Sequence, residues 1–317
     1  MSSHARIPHI PLASFYFFYF AVLGGFMPYW GLYLQQLSFS PEAIGQLMAI
    51  LMATRIVAPN FWGYVADRTG KRLQMVQLAA FLLMFFWLGV FFTDHFWPLA
   101  FVLLGYSFFQ NAILAQFEAV TIAHLGTQRE LYSRLRLWGS VGFIVTGASL
   151  GMFFDYVSIG WLPLCLLVFA AASWLASLRV PDIATPTRAH RQEDFFTILK
   201  RPTVVAFLLA HFLLQLSHAP YYSFYSIYLE QHGYSRSAMG WLWALAVMAE
   251  VIAFTQMHRW LPRFGERRIM MASLLLAAVR WAVIGIGIES SVVVWSAQLL
   301  HAASFATFHA AAISVIY

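Results

Sequence analysis

Apolar residues run through this chain in stretches of about 20 or more, the length an α-helix needs to cross a hydrocarbon layer, with short polar intervals between them. The pattern predicts about ten spans, at roughly 11–36, 43–66, 73–92, 96–123, 134–154, 158–179, 203–229, 237–258, 268–288 and 291–317. Membrane strands would read instead as alternating segments of about ten residues, a pattern not found here. The expected fold class is all-α and polytopic. One longer polar interval, 181–202, carries Pro181, Asp182, Pro186, Arg188, Arg191, Glu193, Asp194, Lys200 and Arg201. It separates a six-span bundle, 1–180, from a four-span part, 203–317.

Composition strengthens the membrane reading. The chain is 61% hydrophobic and only 10% charged, against about a quarter charged in soluble domains, and its mean hydropathy is +0.70. Arg6 ahead of apolar residues 15–26 looks like the start of a secretory leader. The apolar run is too long for one, however, and no small-residue cleavage site precedes Pro28 and Trp30, so a retained helix is expected. The single cysteine, Cys165, permits no internal disulfide.

Charge then orients the spans. Apart from Arg236, every Lys and Arg outside the spans lies in segments on the N-terminal side, including Arg6, Arg68, Lys71, Arg72, Arg129, Arg134, Lys200, Arg201 and Arg267. That asymmetry places the N-terminus in the cytoplasm. It also accounts for a pI near 9.5 without nucleic acid, because the cations are dispersed over turns rather than gathered on one face.

Several charges lie within apolar runs: Arg55, Glu118, Arg136, Glu250 and Arg280. Such groups persist in a bilayer when they pair, face a protected interior or meet a substrate or proton. Glu118 and Arg136 are equidistant in sequence from residue 127, the middle of the turn between spans four and five, so antiparallel helices bring them to one depth. Glu250 and Arg280 are likewise equidistant from Gly265, which predicts a second acid–base pair in the other half. A static salt bridge fixing helix register is the alternative for each. Arg55 has the geometry to bind a carboxylate bidentately, or to partner Glu118 or a helix end.

Other strings carry less. His211 and His218 share a helix face at i and i+7 but lack a third ligand at suitable spacing, so helix packing is favoured over a metal site. Gly147-Ala148-Ser149-Leu150-Gly151 matches a hydrolase string, yet a nucleophile elbow needs a strand-to-helix turn and this is mid-helix. Its glycines read better as a close-packing face. Gly70-Lys71 lacks the upstream glycine and the following Ser or Thr of a phosphate loop, which argues against ATP-driven transport. Neither enzyme chemistry nor a cofactor is indicated.

Gly63-Tyr64-Val65-Ala66-Asp67-Arg68-Thr69-Gly70-Lys71-Arg72 lies between spans two and three, with a degenerate counterpart, Arg263-Phe264-Gly265-Glu266-Arg267-Arg268, between spans eight and nine. The first resembles the loop typical of major facilitator transporters, and the six-plus-six layout with a central loop is theirs. The second half is two spans short of it, the pattern of a truncated chain; a self-contained ten-span protein is the alternative. In this loop Asp67 can pair with cations, with Arg68, Lys71 and Arg72 beside it, while Gly63 permits close helix approach and Gly70 a tight turn. A gate latch is the expected role, and a topology-setting basic turn the plainer one.

Phe15-Tyr16-Phe17-Phe18-Tyr19-Phe20, Pro28-Tyr29-Trp30 and Ser40-Pro41-Glu42-Ala43-Ile44-Gly45 resemble the opening of lactose permease and its relatives. Arg134-Leu135-Arg136-Leu137-Trp138-Gly139-Ser140-Val141-Gly142-Phe143 is similar to the phenylpropionate permease branch. That resemblance implies alternating access, two bundles rocking about a midplane cavity, in a monomer of the bacterial inner membrane driven by the proton gradient. It implies Arg55, Glu118, Arg136 and Arg280 as solute contacts, and Glu250 with His301 or His309 in proton coupling. The family's proton-carrying acid falls here at Ser304, which cannot carry a proton over that range. The expected solute is 3-phenylpropionate or a related aromatic acid; a sugar, a nucleoside or an export antiport is the alternative.

Overall fold

The computed structural model describes residues 7–183 and 199–316. Arg6, Pro186, Arg188, Arg191, Glu193, Asp194 and Tyr317, which entered the topology and linker readings, lie outside the described residues. Among the described residues, ten helices are long and apolar enough to cross a membrane, six before the 184–198 interval and four after it.

The helices are α1 (His9–Gln36), α2 (Pro41–Thr69), α3 (Arg72–Leu88), α4 (Phe96–Leu125), α5 (Tyr132–Phe154) and α6 (Leu162–Leu178), then α7 (Pro202–Gln231), α8 (Arg236–Phe264) and α9 (Glu266–Gly287). The last span, Ser291–Ile316, is divided into α10 (Ser291–His301), a π-helical segment (Ala302–Ala306) and α11 (Thr307–Ile316). Two departures from the hydropathy pattern stand out. Span three closes in a 3-10 turn, Gly89–Phe92, and span ten is broken by the π segment; hydropathy reports neither.

The second helix of each half begins in the same way. Ser40 caps α2, its Oγ accepting the Ala43 N–H at 3.3 Å, and Ser235 caps α8, accepting the Ala238 N–H at 3.2 Å. Each satisfies an N–H that the helix itself leaves unpaired. The residues that follow, Ser40-Pro41-Glu42-Ala43-Ile44-Gly45 and Ser235-Arg236-Ser237-Ala238-Met239-Gly240, form a second internal repeat.

Two compact units emerge, Met1–Thr146 with Val157–Ala189, and Gly147–Tyr156 with His190–Tyr317. In the first, α1 packs on α6, α3 on α4 and α6, and α2 on α4. Helix α5 crosses α1 where a Cβ on Gly142 would lie 2.1 Å from the Phe17 carbonyl oxygen, and one on Gly24 would lie 2.4 Å from that of Phe143. Only glycine fits such a backbone approach. By contrast, a Cβ on Gly63 would meet nothing within 4 Å, so the close helix approach expected there is not made.

In the second unit, α9 packs on α10 and α11, and α8 on α10 and the π segment. Small residues at this contact, Ala249, Ala253, Ala302 and Ala306, let the helices come close. Asp155 accepts the backbone N–H groups of Arg236 at 2.8 Å and Ser237 at 3.2 Å, placing an acid at the α8 N-terminus where the helix dipole favours it. Helix α7 is peripheral, with Leu209, Phe212 and Leu216 exposed, a face suited to an apolar surround.

Candidate functional site

In the first unit the span charges gather around aromatic rings. Arg136 Nε stands 3.7 Å from Glu118 Oε1, with side-chain exposures of 30% and 34%. At that distance the two are an ion pair but not a hydrogen bond, leaving donors and acceptors on both for another group. The Arg136 guanidinium lies over Phe20 at 4.1 Å and Tyr16 at 5.9 Å, the cation–π arrangement that holds a planar cation while leaving its edge free. Tyr16 is itself anchored, donating to Thr121 Oγ1 at 3.1 Å, and Phe15 stacks on Phe117 at 3.6 Å.

Arg55 stays apart from that pair. It is exposed and among the described residues makes no hydrogen bond or ion pair, although its charge reaches the phenols of Tyr19 and Tyr106. Its neighbour Thr54 accepts from Asn111 Nδ2 at 2.9 Å, fixing α2 against α4.

In the 63–72 turn, Gly70 takes φ +66° and its N–H bonds Ala66 O at 2.9 Å, a left-handed cap that glycine adopts at no steric cost. Asp67 pairs with Arg72, whose guanidinium also bonds Gln116 of α4. Arg68 instead lies over Tyr64 at 5.0 Å. Lys71 precedes α3, its backbone N–H bonded to Thr69 Oγ1 at 3.4 Å.

The second unit differs from the expected pair. Arg280 and Glu250 do not meet directly; His301 stands between them. Arg280 Nη1 is 2.8 Å from His301 Nδ1 and His301 Nε2 is 2.8 Å from Glu250 Oε1. Because a guanidinium only donates, Nδ1 must accept, so the imidazole proton sits on Nε2 and is donated to Glu250. The result is a chain from cation to neutral imidazole to carboxylate.

Arg280 is fully buried. Its Nη2 donates to Gln298 Oε1 at 3.2 Å, which also accepts from Tyr221 OH at 3.2 Å, while Gln298 Nε2 bonds Tyr225 OH. The guanidinium is flanked by Tyr221 and Trp281, each at 4.4 Å. His218 joins the cluster 5.8 Å from His301, centroid to centroid, with its Nδ1 bonded to Leu214 O at 2.9 Å. Gln298 and Trp281 were not singled out by sequence, and His218 was read there only as a packing residue. Their signal was weak, since a neutral polar or indole group in an apolar run costs too little to stand out.

Ser304 is buried in the π segment and donates to the His301 carbonyl at 3.1 Å. Eight residues after His301, His309 is exposed and stacks along Phe305, centroids 6.5 Å apart, with no contact to the Glu250–His301–Arg280 chain among the described residues. His211 packs against Phe207 and Phe308. Among the described residues no group of three or more His, Cys, Asp or Glu gathers as metal ligands.

Ten spans in six and four, charged groups on facing helices and an internally repeated turn define a secondary transporter of the major facilitator fold. Residues 9–317 match the MFS_1 like family, and the chain belongs to it. It is 31% identical over 324 residues to a protein described as a probable 3-phenylpropionic acid transporter of Escherichia coli (strain K12), covering 96% of this chain and 81% of that one. Against the maltose permease of Geobacillus stearothermophilus the identity is 27%, covering 87% and 70%. The crystal structure of the nucleoside transporter NupG superposes with a TM-score of 0.81 at 17% identity, over 97% of this chain and 82% of that chain.

Proposed function

We propose that this chain carries out proton-linked symport of a small organic solute across a bacterial inner membrane, with its N-terminus in the cytoplasm and the chain acting as a monomer. The leading reading of the solute is a neutral, hydroxylated molecule, a sugar or nucleoside. What carries it is charge compensation: Arg136 stands beside Glu118, and Arg280 is linked through His301 to Glu250. A compensated pair offers donors and acceptors to hydroxyls without net charge, and the half-buried ring of Phe20 beside Arg136 suits the flat face of a sugar or base. The maltose permease and the nucleoside transporter are consistent with that class.

Arg55 supports a second reading. Among the described residues it has no hydrogen bond or ion pair, and a monocarboxylate such as 3-phenylpropionate would neutralise it; the E. coli relative is consistent with this solute. The preference for a neutral solute reverses the order expected from sequence, because half-buried Arg136 stands beside Glu118 and buried Arg280 is linked to Glu250. Direct binding of uridine, maltose and 3-phenylpropionate to the purified chain separates the readings. The leading one requires a neutral solute to bind and Arg136→Ala to abolish it, with Arg55→Leu harmless. Binding of the acid alone, lost in Arg55→Leu, would overturn it.

Proton coupling rests on Glu250 and His301. Protonation of Glu250 removes the charge that balances Arg280 through His301, so carboxyl protonation and the state of Arg280 are linked by two hydrogen bonds. In this reading that chain takes over from the acid replaced by Ser304, and His309 stands outside it. Asp67 with Arg72 acts as the latch of the 63–72 gate.

A further inference from the structure

A wedge-shaped cavity of about 560 Å³ opens in the first unit between the N-terminal ends of α1 and α5. It reaches Phe17, where Gly142 meets α1. From there to His9, the first residue of α1, the depth is about 12 Å at 1.5 Å per residue. Ile10, Ala13, Phe17 and Leu135 line it with hydrocarbon, and Trp138 flanks it half exposed. Its polar groups are Ser14, His9 and Arg134.

We propose that this wedge holds an acyl chain of an anionic phospholipid from the surrounding bilayer, with the phosphate seated at Arg134 and His9. The charge of the mouth is complementary to such a head group. Arg134 is exposed and among the described residues has no hydrogen bond or ion pair, and the lining includes no carboxylate. The first turn of α1 has neither a side-chain cap nor an acidic residue; His9 N–H bonds Ile7 O, Leu12 N–H bonds Pro8 O and Pro11 has no N–H, so among the described residues the Ile10 N–H is the one left to favour an anion there. The apolar walls exclude the head group from the interior but accept an alkyl chain. Trp138, with an apolar body and a polar N–H, suits the boundary between the two. The mouth opens at the first turns of α1 and α5, helix ends at the depth where head groups lie.

The test is native mass spectrometry of the purified full chain given equimolar dioleoyl phosphatidylglycerol and dioleoyl phosphatidylcholine. The wild type should retain phosphatidylglycerol preferentially. Arg134→Gln should reduce that preference about fivefold, the equivalent of about 1 kcal/mol for one cation near an anionic surface. Ala13→Trp, which fills the wedge, should lower phosphatidylglycerol retention; should that variant fail to fold, Arg134→Gln decides alone. Equal retention of the two lipids by the wild type, or an unchanged preference in Arg134→Gln, would overturn the assignment. Displacement of the lipid by equimolar oleate or 3-phenylpropionate would overturn it as well, giving the wedge to a free fatty acid or to the solute.

Discussion

The link from Arg280 through His301 to Glu250 makes a quantitative demand on stability. Its two contacts are each 2.8 Å. With about 2 Å between the imidazole nitrogens, guanidinium and carboxylate are at most about 8 Å apart, and at an effective dielectric of about 20 they attract by ~2 kcal/mol. Arg280→Met removes a fully buried cation and leaves Gln298, His301 and the carboxylate without their donor, a loss of about 3–5 kcal/mol by analogy with broken buried pairs. Glu250→Gln leaves the Arg280 charge uncompensated in turn. The double variant no longer holds an orphaned charge, so it should be more stable than the sum of the single losses by ~2 kcal/mol. Unfolding of the four proteins in mixed SDS micelles, followed by tryptophan fluorescence, measures this coupling. A value below about 0.5 kcal/mol, the scatter expected of independent sites, would refute the linked chain.

Three further outcomes follow from the same geometry. Gly142→Ala should destabilise the protein by about 1–3 kcal/mol through overpacking against the Phe17 carbonyl, whereas Gly63→Ala, with open space around it, should be neutral or stabilising by up to about 1 kcal/mol; thermal melting of both variants checks the contrast. Asp67→Asn should slow solute exchange by about tenfold or more while leaving equilibrium solute binding within about twofold, if the Asp67–Arg72 pair is a latch rather than a binding group; rapid-mixing efflux and direct binding separate the two effects. His309→Ala should leave proton-coupled uptake within about twofold of wild type, while His301→Ala should lower it by at least about tenfold, a general acid–base scale of loss; equal effects in the two variants would contradict the assignment of His301 to the chain.

The spans were legible because hydropathy depends on composition over about 20 residues and not on packing. Depth was legible too, since rise per residue fixes how far Glu118 and Arg136 lie from their shared turn, and the two stand 3.7 Å apart. Azimuth was not. Glu250 and Arg280 were expected to face each other from their equal depth, but which group fills the space between them depends on the rotation of α10. A third helix, and not the turn at Gly265, brings His301 there. The π segment at Ala302–Ala306 adds a backbone irregularity next to His301 that side-chain periodicity does not encode. Glycine roles failed for a related reason: Gly63 sits in a family-like string yet faces open space, while Gly142 and Gly24 are unremarkable in sequence and are where backbones meet. A close approach belongs to two helices at once, and one helix's pattern carries half of it.

Proton-driven uptake by the reconstituted chain tests the central claim most directly. Proteoliposomes loaded at pH 8 and diluted to pH 6 should accumulate labelled uridine or maltose against its gradient, with a protonophore abolishing accumulation and Glu250→Gln retaining exchange but losing the uphill phase. Correctly folded protein that accumulates none of uridine, maltose and 3-phenylpropionate, or that accumulates one of them equally with the protonophore present, would contradict the account.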